Sequence, residues 1–500
     1  MKTIMGGSGR AGVLGLLGLL IPATTGAQSG SEPWRYTLIH GASLTDDCPI
    51  CGRPAIVLPL RGGFDLRRKD ENPLFTAYAV ENVEWESGYE GGPRYRLRGR
   101  GEYVIGGEVA ITQQLTLKLT MDDGQEIKDV EMSSEPTPVE RLWPMVLVAA
   151  KQTNGTPFQR LDVSLAAAPL HGLWFSTAHG MTSGSTPPPF EYYKASDLLT
   201  GDGRRVRSNA DLTRHLGLMP VALDIGLDGV AVAPGGDLMF SSTEAAFSES
   251  LGPLGAGDLL SERGKIVRRN ADLLAPFGPM PPIPEVGLDA VQAVSSTELL
   301  FSLATPIFSE KLGRTLGRGD LLSSFGTVVK SASQLLARFQ PVLENGGPKL
   351  DELGLDAIYL WPSGEAWFST EQGFQDRTLG PVRGGDLLSE RGYVVWQNLD
   401  LVAPFSPLED LADFGLDALE IITDALPVAS APTITDFTVN RESGTVWLQW
   451  MGEGRFFQVL GAPSANAAFQ PISPIQTETW IEHQAWWPTH PSYFFKVRQW

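Results

Sequence analysis

The stretch on which the fold turns is Gly257-Asp258-Leu259-Leu260-Ser261-Glu262-Arg263-Gly264-Lys265-Ile266-Val267-Arg268. Two short runs of strand formers flank Glu262-Arg263-Gly264, and that glycine punctuates a hairpin. The opening phrase recurs at Gly319 to Ser323 and Gly385 to Ser389, with Ser196-Asp197-Leu198-Leu199-Thr200 as a first copy. Its aspartate steps from 197 to 258, 320 and 386, spacings of 61, 62 and 66. Other phrases keep the same order and period. Gly-Leu-Asp stands at Gly226-Leu227-Asp228, Gly287-Leu288-Asp289, Gly354-Leu355-Asp356 and Gly415-Leu416-Asp417, with Leu161-Asp162 as a degenerate copy. Phe-Ser stands at Phe175-Ser176, Phe240-Ser241, Phe301-Ser302 and Phe368-Ser369. A fixed period shared by several phrases marks a repeat architecture.

Each unit reads as four short strands, in the second copy Val230 to Val232, Asp237 to Ser241, Asp258 to Ser261 and Lys265 to Arg268. Long helical periodicity is missing, and only Ala271 to Phe277 reads as a helical turn. Four antiparallel strands per unit is the pattern of a β-propeller blade. The Gly-Leu-Asp strand occurs once more than the other phrases, so one copy can close a ring by completing a blade from the far end. The rival arrangement is an open stack of β units. The fold class expected is all-β: four propeller-like repeats of 61 to 67 residues over 155–422, an N-terminal β module over 28–150 and a small C-terminal β-sandwich over 435–500, after a linker over 423–434.

The rest of the composition agrees. Gly (55) and Pro (37) make about 18% of the 500 residues, above the usual roughly 12%, as many turns require. Formal charge is -19, which repels phosphate and argues against nucleic-acid binding. Residues 1–27 read as a secretory signal peptide: Lys2 and Arg10, an apolar run from Val13 to Ile21, then Thr25-Gly26-Ala27. The run is too short to span a bilayer, and no later segment is apolar enough to be a transmembrane helix. The expected address is secreted, periplasmic or cell-surface.

Cys48 and Cys51 are the only cysteines, in a turn-like Cys-Pro-Ile-Cys. A local disulfide is the first reading, with a metal half-site or redox pair behind it. Asp258, Asp320 and Asp386 sit in tight Gly-Asp loops whose oxygen donors suit calcium, although a lone aspartate more often fixes a turn. Asp228, Asp289, Asp356 and Asp417 are read as structural elements of the repeat. Arg318-Gly319-Asp320 spells an adhesion tripeptide, but its Gly-Asp belongs to the repeat. Six of the 13 Trp follow residue 440. Trp486-Trp487, before a proline, is the pair best suited to stack on a sugar ring or a partner.

The segment from Thr435 resembles a fibronectin type III domain, through the strands Val446-Trp447-Leu448-Gln449-Trp450 and Tyr493-Phe494-Phe495-Lys496-Val497-Arg498. It stops soon after the second of these, where that family has a further strand. As a whole the chain resembles secreted bacterial multi-domain proteins that combine β-propeller-like repeats with such a segment. The resemblance implies no activity. Catalytic signatures are missing: no Gly-x-Ser-x-Gly elbow, no His-Glu-x-x-His and no phosphate loop. His171 and His179, in the most divergent repeat, are the best enzymatic suspicion. The expected function is a non-catalytic binding or scaffold protein for polysaccharide or protein, without a cofactor other than calcium. A propeller-type hydrolase or lyase on an extracellular polymer is the alternative, favoured by charged groups converging on the repeat axis.

Overall fold

The structure is a computed structural model that describes residues 32–88, 94–185, 190–221, 223–282, 285–342, 352–426, 428, 430–440, 443–464, 466–484 and 494–500. The segments expected as signal peptide (1–27) and as the Trp486-Trp487 pair lie outside them. The chain forms two compact units, one over Gln28–Pro427 together with Trp500, the other over Val428–Gln499. The fold is all-β.

The N-terminal sheet is built from long strands, chiefly Ile56–Glu71, Phe75–Gly88, Arg94–Gly106 and Thr112–Asp122. Strict alternation sets their register: along Thr112–Asp122, Leu115, Leu117, Leu119 and Met121 turn inward and their neighbours outward. All pairings are antiparallel. Arg160–Ala168 pairs with Ser43–Asp47 on one side and with Val146–Gln152 on the other, so the hydrogen-bonded path returns to its start. The degenerate Leu161-Asp162 copy therefore belongs to this sheet and not to the repeats. Trp85, Tyr36, Phe64 and Tyr103 fill the interior. The Tyr36 hydroxyl donates to the Pro144 carbonyl, satisfying a phenol inside that core.

The repeat region contains four four-stranded antiparallel sheets. One comprises Val230–Ala233, Asp237–Phe240, Leu259–Ser261 and Lys265–Arg268; the next, Val291–Ala293, Leu299–Phe301, Leu321–Ser323 and Thr327–Lys330; a third, Ile358–Leu360, Ala366–Phe368, Leu387–Ser389 and Tyr393–Trp396. The remaining sheet is composite. Gly172–Ser176, Leu198–Thr200 and Arg205–Arg207 come from the start of the region, but its first strand is Ala418–Ile422 from the end. With Leu161-Asp162 in the N-terminal sheet, Gly-Leu-Asp occurs four times like the other phrases, and the strand after Asp417 is the copy that completes a sheet across the chain. The four innermost strands neighbour one another in a closed cycle: Val230–Ala233 beside Val291–Ala293, then Ile358–Leu360, then Ala418–Ile422, and back.

The repeated phrases build this arrangement. In Gly-Leu-Asp the glycines sit at φ of 73°, 75°, 71° and 76°, a left-handed turn that a side chain would strain. Each Phe of Phe-Ser is fully buried. Each Ser hydroxyl donates to the Leu carbonyl of the following sheet: Ser176 to Leu227 (3.4 Å), Ser241 to Leu288 (3.3 Å), Ser302 to Leu355 (2.8 Å) and Ser369 to Leu416 (2.8 Å). These four bonds also run in a closed cycle. Short helices follow the outermost strands, α1 (Asn209–Thr213), α2 (Asn270–Leu274), α3 (Ala332–Leu335) and α4 (Asn398–Val402). The single helical turn expected at Ala271 to Phe277 is thus a feature of every repeat.

One hydrophobic core joins the N-terminal sheet to the Ile358–Trp396 sheet and to the composite one. The Arg141 guanidinium lies 3.4 Å over the Tyr393 ring, and the Tyr393 hydroxyl donates to the buried Glu365. The C-terminal unit pairs Thr433–Asn440, Thr445–Met451 and Trp480–Gln484 in one sheet and Phe457–Ala462, Gln470–Pro471 and Phe494–Gln499 in another. Val446, Leu448, Trp450, Phe457, Val459 and Val497 form its core.

Candidate functional site

Each Gly-Leu-Asp aspartate stands one or two positions before the start of an innermost strand, so the closed cycle brings Asp228, Asp289, Asp356 and Asp417 to one place. Burial pushes the Asp228 carboxyl up to about 7, helped by the nearby Glu371 carboxylate. Asp289 is pushed up to about 9 by burial, then by Glu371, Asp228 and Asp356. Asp356 and Asp417 hydrogen-bond to each other; burial raises both, Asp417 raises Asp356 further, and Asp228 acts likewise on Asp417. Buried like charges cannot all ionise, so this cluster holds protons at neutral pH. Glu371 is raised by burial and opposed by the Arg318 guanidinium, with which it forms an ion pair.

Glu371 and Arg318 are the members that the phrases could not announce. Glu371 lies against Gly354, whereas Thr243, Ala304 and Ala178 lie against the equivalent glycines. Arg318 of the adhesion-like tripeptide turns to Glu371, and its carbonyl accepts from the Leu355 N–H.

The Gly-Asp carboxylates have another setting. Asp258 accepts from the Gly255 and Asn270 N–H groups, Asp320 from Gly317 and Ala332, Asp386 from Arg383 and Asn398, and Asp197 from Lys194 and Asn209. One oxygen closes the turn before the strand and the other meets an N–H at the start of α1 to α4. Among the described residues no group of three or more His, Cys, Asp or Glu could hold a metal ion. Cys48 and Cys51 occupy the turn between Ser43–Asp47 and Ile56–Glu71, Cα atoms 5.4 Å apart and sulfurs in bonding contact. His171 pairs with Asp424 at 2.6 Å, while the His179 N–H donates to the Phe414 carbonyl.

The N-terminal sheet carries two clefts of about 480 and 450 Å³ on its solvent face, sharing Arg61, Glu86 and Arg96. Arg94, Arg96, Arg98 and Arg100 alternate outward along one strand while Tyr95 and Leu97 turn inward. Register sets Arg96 between Glu86 and Asp122, and Arg98 beside Glu84. Arg96 and Glu86 approach to 3.3 Å with both side chains largely exposed. Among the described residues Arg94, Arg98 and Arg100 have no ion-pair partner.

No family model matches the chain, and no curated protein matches it in sequence. Among solved structures it overlaps the extracellular domain of a protein described as a hybrid two-component system of B. thetaiotaomicron, at 8% identity and a TM-score of 0.18, over 86% of this chain and 75% of that one. It also overlaps PorZ, a bacterial surface component of the type-IX secretion system of Porphyromonas gingivalis, at 9% identity and a TM-score of 0.18, over 89% and 78% of the two chains. A second extracellular domain of that kind from B. thetaiotaomicron gives 8% identity and a TM-score of 0.18, over 89% and 74%. Scores this low carry no argument about this chain.

Proposed function

We propose that this is a secreted, non-catalytic binding or scaffold protein of the envelope or extracellular space, with a polysaccharide or protein as its ligand. In this reading residues 1–27 direct export and the four sheets are the blades of a propeller, latched by Ala418–Ile422. A Cys48–Cys51 disulfide pins the first hairpin, and a fibronectin type III-like unit carries Trp486-Trp487 as a second contact. The observation that carries it is how the repeat uses its polar groups. The Ser of every Phe-Ser bonds the next sheet, and the Asp of every Gly-Asp clamps a turn to a helix. These two recurrent groups are thereby engaged in the scaffold, which favours the non-repeated surfaces for a ligand. The test is retention of the full chain on immobilised extracellular polysaccharides, with the soluble phase assayed for cleavage. Retention without product supports binding; release of reducing ends or unsaturated ends overturns it.

A second reading has its own observation. Convergence of four aspartates, Glu371 and Arg318 places proton-holding carboxyls beside a guanidinium, equipment suited to acid–base cleavage of a polymer. If a polymer is cleaved, E371Q must abolish product while leaving retention in place. Cleavage unaffected by E371Q and D356N removes the axis from consideration.

A further inference from the structure

We infer that the two joined clefts on the N-terminal sheet bind an anionic polysaccharide, its acidic groups on Arg94 and Arg98 and its hydroxyls on Glu84 and Glu86. The inference rests on the reading of the chain as a binding protein and specifies where it binds and what.

Charge distribution is the first argument. In a chain of net charge -19, one strand presents four arginines to solvent on the same face. Each guanidinium offers a planar fork that matches a carboxylate or sulfate. Burial does not explain them, since the inward positions of that strand hold Tyr95 and Leu97. Local neutralisation explains Arg96, which meets Glu86 and lies opposite Asp122, but not Arg94 and Arg98, which have no ion-pair partner among the described residues.

The alternation of sign selects the class of ligand. Arg61, Glu86 and Arg96 are set side by side across three strands, with Glu84 and Arg98 in the next row. A carboxylate between guanidiniums accepts hydrogen bonds from the hydroxyls that sugar rings carry in number. Acidic sugars carry hydroxyl donors and anionic groups together on each ring. Among the described residues of this face the aromatic rings, Trp85 and Tyr95, point into the core and offer no platform for bases. The combined space, two adjoining clefts of about 480 and 450 Å³, accommodates several sugar rings.

The experiment is affinity electrophoresis of the full chain in gels holding polygalacturonate, dextran sulfate, neutral dextran or double-stranded DNA. Retardation by polygalacturonate or dextran sulfate is expected, weakening as salt rises, and the stronger of the two distinguishes carboxylate from sulfate. The double variant R94Q/R98Q is expected to bind the same polymer roughly tenfold more weakly, with a shallower salt dependence and an unchanged melting profile, because both side chains are exposed. A variant that binds as tightly as the parent overturns the cleft as the site and leaves the binding function standing. Retention on neutral dextran alone also overturns the cleft, and retention on DNA in preference to either polyanion overturns the ligand class. A chain retained by none of these polymers overturns the polysaccharide ligand and leaves a protein ligand as the reading of the chain.

Discussion

The N-terminal sheet and the repeat region both close upon themselves, by different means. The N-terminal sheet does so with strands of up to 16 residues, each offering a long ladder and a continuous apolar face. Repeat strands run mostly to three or four residues, too short to hold a sheet by ladder bonds alone. There the join between sheets is made by side chains: a serine hydroxyl on a leucine carbonyl and aspartates gathered where the inner strands begin. Long strands tolerate the loss of any one contact, whereas a cycle of short sheets depends on each junction.

The largest effect is expected at the latch. Ile421→Ala removes a buried side chain from the strand that completes the composite sheet and should cost roughly 2–5 kcal/mol in urea unfolding. Val104→Ala, half-buried on a long N-terminal strand, should cost well under half of that. Equal losses would break the comparison.

Next comes pH. The clustered aspartates have folded-state values raised above the ordinary carboxylate value, with Asp228 near 7 and Asp289 near 9. The folded chain therefore binds more protons than the unfolded chain across that window. Their contribution is complete below about pH 4 and is lost as pH rises through 7 and 9, so melting temperature should fall from pH 5 to pH 9. Asp289→Asn should flatten that slope; a slope the same in variant and parent would remove the cluster as its cause.

Smaller losses are expected at the clamps. Asp386→Ala leaves the Arg383 and Asn398 N–H groups without their acceptor and should cost about 1–3 kcal/mol, measured by thermal unfolding. Ser369→Ala removes a single hydroxyl donor to Leu416 and should cost about 1 kcal/mol. If the serine matters more than the aspartate, the junction between sheets outweighs the turn within one.

Much of the repeat region was legible in the sequence, because a phrase repeated four times declares which residues do the same work. The order of strands and the completion of a sheet from the far end could be read from spacing, but not which Leu-Asp strand completes it. Convergence of the aspartates could not, since the phrase shows that they are equivalent but not that equivalence places them together. Glu371 and Arg318 escaped for the opposite reason: they occur once, and comparing repeats discards what does not recur. Pairing of Arg160–Ala168 with Ser43–Asp47 is a long-range choice without a local mark, and a Leu-Asp inside that strand resembled the repeat phrase. The outward arginines were visible as alternation in Arg94-Tyr95-Arg96-Leu97-Arg98, but their partners across the sheet were not, because register sets those rows.

The latch has a consequence in time. A polypeptide that emerges amino end first presents Gly172–Ser176 long before Ala418–Ile422 exists. Until the last repeat has been made, the composite sheet has a bare edge where that strand will dock, and an unpaired edge invites other strands. The ring is therefore a clock for the completeness of the chain: a product cut short before residue 418 keeps its first three strands but leaves the ring open.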